Sequence, residues 1–382
     1  MKKLNVLHLA SFHGNIGDNA NHNGVRNLLK KNLDFELVYT DLEIRRHYWG
    51  EWDFDDTFIE KVNQFDLLII GGGNYFELWV EKSKTGTTID LSPEQLAKIN
   101  IPILFNGLGC DPNKGYTSET LTKFKKFLDY TLHSEKCLVS VRNDGSLDNI
   151  KDLIGLEYAN KIYEIPDGGF FYNLIKSDFG QNLIGDGMNI AINLAGDMLE
   201  RRFSGEVTYK EFIRKFSLYL ESLFQDMPSL NIIFIPHIFR DLSIIFDVLE
   251  NINDKYRRTN ISVAPCIQGD DKFHHIFDIY SRCNLVLGTR FHSNVCNIAL
   301  GIPTIGLVCY PNVKNLYKSL GLEDRIVDLK DNNFDHVLRI ITNDTINNFN
   351  KIKEDYDNKK QHLLENANEF HCLVNEWLKK FY

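Results

Sequence analysis

Arg290 and His292 stand two residues apart in Gly288-Thr289-Arg290-Phe291-His292-Ser293, directly after the apolar run Leu285-Val286-Leu287. Arginine offers a rigid fork that grips carboxylate or phosphate through two bonds, and imidazole can hold an anion or pass a proton near neutral pH. On extended backbone both side chains would leave the same face, so cation and imidazole would converge where a strand ends. Asn294 to Gly301 reads as a short helix, started by Ser293-Asn294 and closed by Gly301, with Pro303 beyond. Helix starts present outward N–H groups, so the pattern predicts an anion site. A lone arginine or histidine is commonly structural; the two together at such a junction weigh evenly between the readings.

Other residues with chemistry sit at similar places. Arg142 ends the run Leu138-Val139-Ser140-Val141, with Asp144 and Ser146 close behind. His237 follows Ile235-Pro236, with Asp241 four residues on to orient it. Gly14, Asn15, Gly17 and Asp18 form one loop, and Gly71, Gly72, Gly73 and Asn74 another; glycines serve close ligand approach and plain turns alike. Asn106 and Asp167 end two further runs. No metal-ligand spacing, nucleophile elbow, P-loop or G-x-G-x-x-G is visible, and His274-His275 read as surface or interface residues.

Apolar runs that would position these residues recur along the chain. Strands are expected at 4–10, 35–39, 65–70, 101–105, 138–142 and 162–167, then at 188–194, 231–237, 261–264, 284–287 and 304–309. Helical spacing appears at about 21–31, 121–132, 209–224 and 273–282, and in a charged tail from about 344. Strand and helix alternate, which predicts an α/β fold of parallel sheets: two Rossmann-like lobes facing across a cleft. The divisions expected are 1–178, 179–345 and a helical tail, 346–382, able to cross back.

With 382 residues, 43% apolar and 25% charged, the chain has the composition of an ordinary globular protein of about two domains. A net charge of −9 argues against non-specific nucleic-acid binding. Seven scattered cysteines without a CxxC fit reduced thiols in a cytoplasmic setting. No run approaches the ~20 apolar residues of a membrane span, so no integral membrane segment is expected.

Taken in order, the motifs resemble those of the polysaccharide pyruvyl transferase family. They are Gly14-Asn15-Ile16-Gly17-Asp18, Ile70-Gly71-Gly72-Gly73-Asn74, Val139-Ser140-Val141-Arg142 with Ser146, and Ile165-Pro166-Asp167. Ile235-Pro236-His237, Tyr280 through His292, and Ala299 through Gly306 follow. The resemblance implies a GT-B-like fold with an acceptor side in the first lobe and a donor side in the second. It implies transfer of a pyruvyl group from phosphoenolpyruvate to two hydroxyls of a sugar in a cell-surface polysaccharide or its precursor, forming a ketal and releasing phosphate. No cofactor is then needed beyond phosphoenolpyruvate as co-substrate.

On that reading Arg290 and His292 hold the donor with Ser293, Asn294, Arg142, His237 and Lys314, and His292 is the acid. Asp18 or Asp167 would be the base, and the loops through Gly14, Asn15, Gly17, Gly72, Gly73, Asn74 and Asn106 would line the cleft. Two positions depart from the family pattern: Asn143 replaces an aspartate, and Tyr310-Pro311-Asn312 replaces Asp-Pro-Lys, with Lys314 two residues on. The rivals are a GT-B glycosyltransferase using a nucleotide sugar, with its base near Cys266 to Asp271, and a non-catalytic binding relative. The expected partner is a glycan acceptor, with lipid linkage at the inner membrane face and homo-oligomer formation left open.

Overall fold

The computed structural model describes residues 1–382. In chain order the first strands are β1 (Lys2–Ala10), β2 (Phe35–Glu43), β3 (Leu67–Gly71), β4 (Phe76–Glu77), β5 (Ile103–Leu108), β6 (Cys110–Asp111), β7 (Cys137–Arg142) and β8 (Tyr163–Ile165). The later ones are β9 (Asn189–Asn193), β10 (Asn231–Phe234), β11 (Ile261–Val263), β12 (Leu285–Gly288), β13 (Thr304–Val308) and β14 (Ile326–Asp328). They build two six-stranded sheets, in the orders β2-β1-β3-β5-β7-β8 and β11-β10-β9-β12-β13-β14, and β4 pairs with β6 apart from both. Every pairing is parallel.

Parallel strands covered by helices on both faces must be apolar throughout, and β3, β9, β12 and β13 are buried along their whole length. In the first unit, Leu68, Phe105 and Val139 pack with Phe124 and Phe127 of the helix Ser118–Thr131. A second core there joins Leu4, Val6 and Ile69 to Phe370, Val374 and Trp377 of the final helix, Phe349–Leu378. In the second unit, Ile190, Ile232 and Leu285 pack with Phe212, Phe216 and Leu220 of the helix Tyr209–Asp226.

The division between the units is not contiguous. One comprises residues 1–13, 21–171 and 362–382; the other comprises 14–20 and 172–361. The tail is thus two helices, Phe334–Asn347 and Phe349–Leu378, and the last of these ends in the first unit. No helix is long and apolar enough to cross a membrane.

Strand order fixes where ligands can be met. The chain reverses direction of growth between β1 and β3 in the first sheet and between β9 and β12 in the second. Open α/β sheets bind ligands outside the carboxyl ends of strands at such reversals. The loop before the helix Ile16–Asn32 leaves β1, and the Gly288–Ser293 stretch leaves β12.

Candidate active site at the end of strand β12

The turn after β12 is tied to the neighbouring strand β9, whose last residue, Asn193, lies opposite Gly288. The Thr289 N–H and hydroxyl both donate to the Asn193 carbonyl, at 3.0 and 3.1 Å. The Arg290 N–H donates to the Asn193 side-chain oxygen at 3.1 Å. A buried asparagine at the end of an apolar strand is the signal here.

The helix starts earlier than its spacing suggested, at Phe291, and runs to Ala299 with every residue buried. Arg290 is its extended N-cap residue and His292 lies in its first turn. The two therefore do not leave the same face of one extended segment as expected: Arg290 ends the extended stretch and His292 opens the helix. Ser293 and Asn294, expected at the donor, are spent on that turn. Ser293 Oγ donates to the Arg290 carbonyl at 2.7 Å, and Asn294 Nδ2 donates to the carbonyls of Gly288 and Arg290. Tyr317 donates in turn to Asn294 Oδ1 at 2.9 Å.

Arg290 is buried between two carboxylates. Its Nε donates to Asp241 Oδ2 at 2.8 Å, its Nη2 donates to Asp241 Oδ1, and Nη2 also reaches Asp197 Oδ1 at 2.8 Å. Nη1 takes no part in these bonds. Burial alone would lower the guanidinium's proton affinity, but Asp241 and Asp197 outweigh it and raise the pKa. Burial likewise pushes the Asp197 carboxyl up, and Arg290 with Arg202 more than reverses this. Asp197 was not singled out from sequence, although its place just after β9, at the reversal, marks it.

His237 differs from the expected donor contact. It is fully buried, and Asp241 accepts from its backbone N–H at 2.9 Å rather than from its ring. The ring Nε2 lies 2.9 Å from the Tyr280 hydroxyl. Burial, with Arg290 and His292 adding and Asp241 opposing, pushes the imidazole down to about 3. It is neutral at any ordinary pH and cannot serve as a cation for phosphate.

His292 meets Asp18. Nδ1 lies 3.4 Å from Asp18 Oδ1, and both side chains are largely buried. Asp18 stands in the first turn of the helix Ile16–Asn32, which begins five residues before its expected start. Asn15 caps that helix, its Oδ1 accepting from the Gly17 N–H at 3.0 Å. Gly17 passes so close to His292 that an added Cβ would lie 2.3 Å from His292 Cβ. Here the glycine serves close approach. Asn19, next in the helix, donates to Asp270 at 2.8 Å, and Gln268 donates to the His237 carbonyl at 2.9 Å. The 266–271 loop thus spends polar groups on internal bonds.

The remaining expected residues lie elsewhere. Lys314 is exposed and lines a cavity of about 250 Å³ with Asp328, Asp331 and Phe334, without Arg290 or His292. Arg142 belongs to the first unit, bonded through Nε to Asp144 Oδ2 at 2.6 Å and facing Asp167 at 3.7 Å. Asp167 also accepts from Asn21 at 2.9 Å and from the Gly169 N–H at 2.8 Å. A carboxylate so occupied is poorly placed as the base. Gly72 has φ +81° and packs against His22, Gly73 packs against Tyr75, and Asn106 accepts from the Gly72 N–H through its carbonyl. Asn74 bonds to Glu77 and Asp111.

The two Rossmann-like units and the site at a sheet reversal define a GT-B-like α/β protein. Three solved structures share that fold. S. aureus MnaA in a co-structure with UDP is 8% identical, with TM-score 0.54, covering 93% of this chain and 91% of its own. UDP-GlcNAc 2-epimerase from Neisseria meningitidis bound to UDP-GlcNAc is 11% identical, with TM-score 0.52 and coverage of 96% and 99%. A glycosyltransferase from Rickettsia africae ESF-5 is 11% identical, with TM-score 0.52 and full coverage of both chains. At such identities the likeness concerns fold alone. No curated protein sequence matches the chain. Residues 15–309 match the polysaccharide pyruvyl transferase family, and the chain belongs to that family.

Proposed function

We propose that this chain transfers a pyruvyl group from phosphoenolpyruvate to two hydroxyls of a sugar in a polysaccharide or its precursor, forming a cyclic ketal. The observation that carries the reading is the Asp18–His292 pair beside Arg290, in a chain of this family.

The reaction needs an acid for the methylene carbon of phosphoenolpyruvate. Asp18 lies 3.4 Å from Nδ1 and orients the imidazole, so Nε2 is the nitrogen that delivers the proton. Protonation turns the methylene into a methyl group and leaves C2 oxocarbenium-like. One sugar hydroxyl adds to C2 and returns its proton to His292. The second hydroxyl then displaces phosphate: the bond from C2 to the bridging oxygen breaks, that oxygen leaves on the phosphate, and the hydroxyl proton leaves with it. Arg290, held rigid by Asp241 and Asp197, offers Nη1 to the donor's negative charge. The start of the helix Phe291–Ala299 adds N–H groups without intrahelical partners and a favourable dipole.

This assigns Asp18 as the positioning residue of His292 rather than the base for the sugar. Ser293 and Asn294 hold the turn, and His237 packs beneath it. Incubation with phosphoenolpyruvate and a glycan acceptor should release phosphate, and His292→Ala should abolish release while the protein stays folded. Normal release by that variant would refute the assignment.

A further inference from the structure

Outside the β12 site, the first unit carries a polar cluster with an exposed aromatic face. β4 and β6 pair in register so that Glu77 lies directly opposite Asp111, and both are buried, at 8% and 5% exposure. Like charges facing each other across a ladder destabilise it. The structure supports the pair with several donors, among them the Asn113 N–H and Nδ2, both 2.8 Å from Asp111 Oδ1. Asn74 Nδ2 lies 3.2 Å from Glu77 and 3.3 Å from Asp111, and the Lys114 ammonium bonds to Glu77. Trp79 donates from Nε1 to the second Glu77 oxygen at 3.0 Å, and the Lys114 ammonium lies 5.7 Å from its ring centre. The indole is thus pinned at its polar edge yet 45% exposed.

A buried carboxylate pair, hydrogen-bonded on every side and set beside an exposed tryptophan, is a polar cluster of the kind a fold retains for a ligand. Sugars present an apolar C–H face and a rim of hydroxyls that donate and accept. A rigid indole face beside buried carboxylates, an amide and an ammonium answers both features, at little ordering cost. The cluster also stands at the carboxyl ends of β3 and β5, where α/β sheets meet ligands. A Cβ on Gly109 would lie 2.2 Å from Asn74 Oδ1 and 3.0 Å from Arg142 Nη2, so the cluster adjoins the Arg142 site.

We infer that Trp79, with Asn74, Glu77, Asp111 and Lys114, forms a sugar-binding platform that holds the glycan acceptor. The inference rests on the transfer reaction proposed above for its role, and on the cluster itself for its ligand class. The experiment screens the full-length protein on an array of neutral and N-acetylated oligosaccharides, then titrates the strongest binder by calorimetry. Wild type should bind, Trp79→Ala should weaken the affinity about tenfold or more, and Trp79→Phe should weaken it less, since a ring face remains. The rise in Tm caused by phosphoenolpyruvate should be the same in all three. Absence of glycan binding by wild type, or equal affinity in Trp79→Ala, would overturn the platform. Binding to glycan-free phospholipid vesicles that is lost in Trp79→Ala, with glycan binding unchanged, would overturn it in favour of a membrane contact. If phosphoenolpyruvate stabilises no variant while the Trp79 effect on glycans holds, the platform stands and the donor assignment falls.

Discussion

At the scale of single residues, Arg290 and His292 illustrate two ways of handling buried charge. Arg290 is held by Asp241 and Asp197, which favour its charged form and fix its geometry. Breaking a buried pair from one side leaves the other charge uncompensated, which costs about 3–5 kcal/mol. Asp241→Asn should therefore lower unfolding free energy by about that much in chemical denaturation; a loss below about 1 kcal/mol would show that Asp197 suffices. His292 has the Asp18 carboxylate 3.4 Å from Nδ1. Asp18→Asn should lower kcat about tenfold or more while the phosphoenolpyruvate-induced rise in Tm persists. An unchanged kcat would remove Asp18 from the account. The carboxylates that brace Arg290 come from distant stretches, Asp197 after β9 and Asp241 at the start of the helix Asp241–Glu250, so the motif alone did not show them.

At the scale of elements, the site depends on two helix starts, and sequence spacing misplaced both. The helix Ile16–Asn32 begins within the Gly-Asn-Ile-Gly-Asp loop because Asn15 caps it. The helix Phe291–Ala299 begins right after the arginine because Asn193 and the Ser293 and Asn294 side chains close the turn. Apolar periodicity cannot show such bonds, since the first turns of both helices are polar or buried for chemical reasons. The strands were legible, because buried parallel strands are continuous apolar runs. Short β4, β6 and β14 were not, having too few residues to make a pattern. Gly17 tests this level directly. Alanine suits a helix better than glycine, yet its methyl group would collide with His292. Gly17→Ala should abolish phosphate release while far-UV circular dichroism is retained; wild-type turnover would mean that the two helix starts have room to separate.

At the scale of the whole molecule, the two parallel sheets, each with an order reversal, are the fold that the alternation of strands and helices indicated. Buried neutral histidines set the response to acid. Burial pushes His237 down to about 3 and His371 down to about 4 from an ordinary 6.5. Between those values the unfolded chain binds more protons than the folded one, so stability is full above about 6.5 and drains as pH falls toward 4. Asp197, held below its ordinary value, adds loss in the same direction at lower pH. Tm measured from pH 7 to 4 should fall steadily, and His371→Gln should flatten the fall; a Tm independent of pH would contradict the buried neutral state. The central claim concerns the donor. A ligand that binds only the folded state raises its Tm by mass action. Thermal unfolding of the full-length protein with phosphoenolpyruvate should show a rise of about 2 °C or more, with no response to UDP- or GDP-sugars. A response to nucleotide sugars and none to phosphoenolpyruvate would contradict the account.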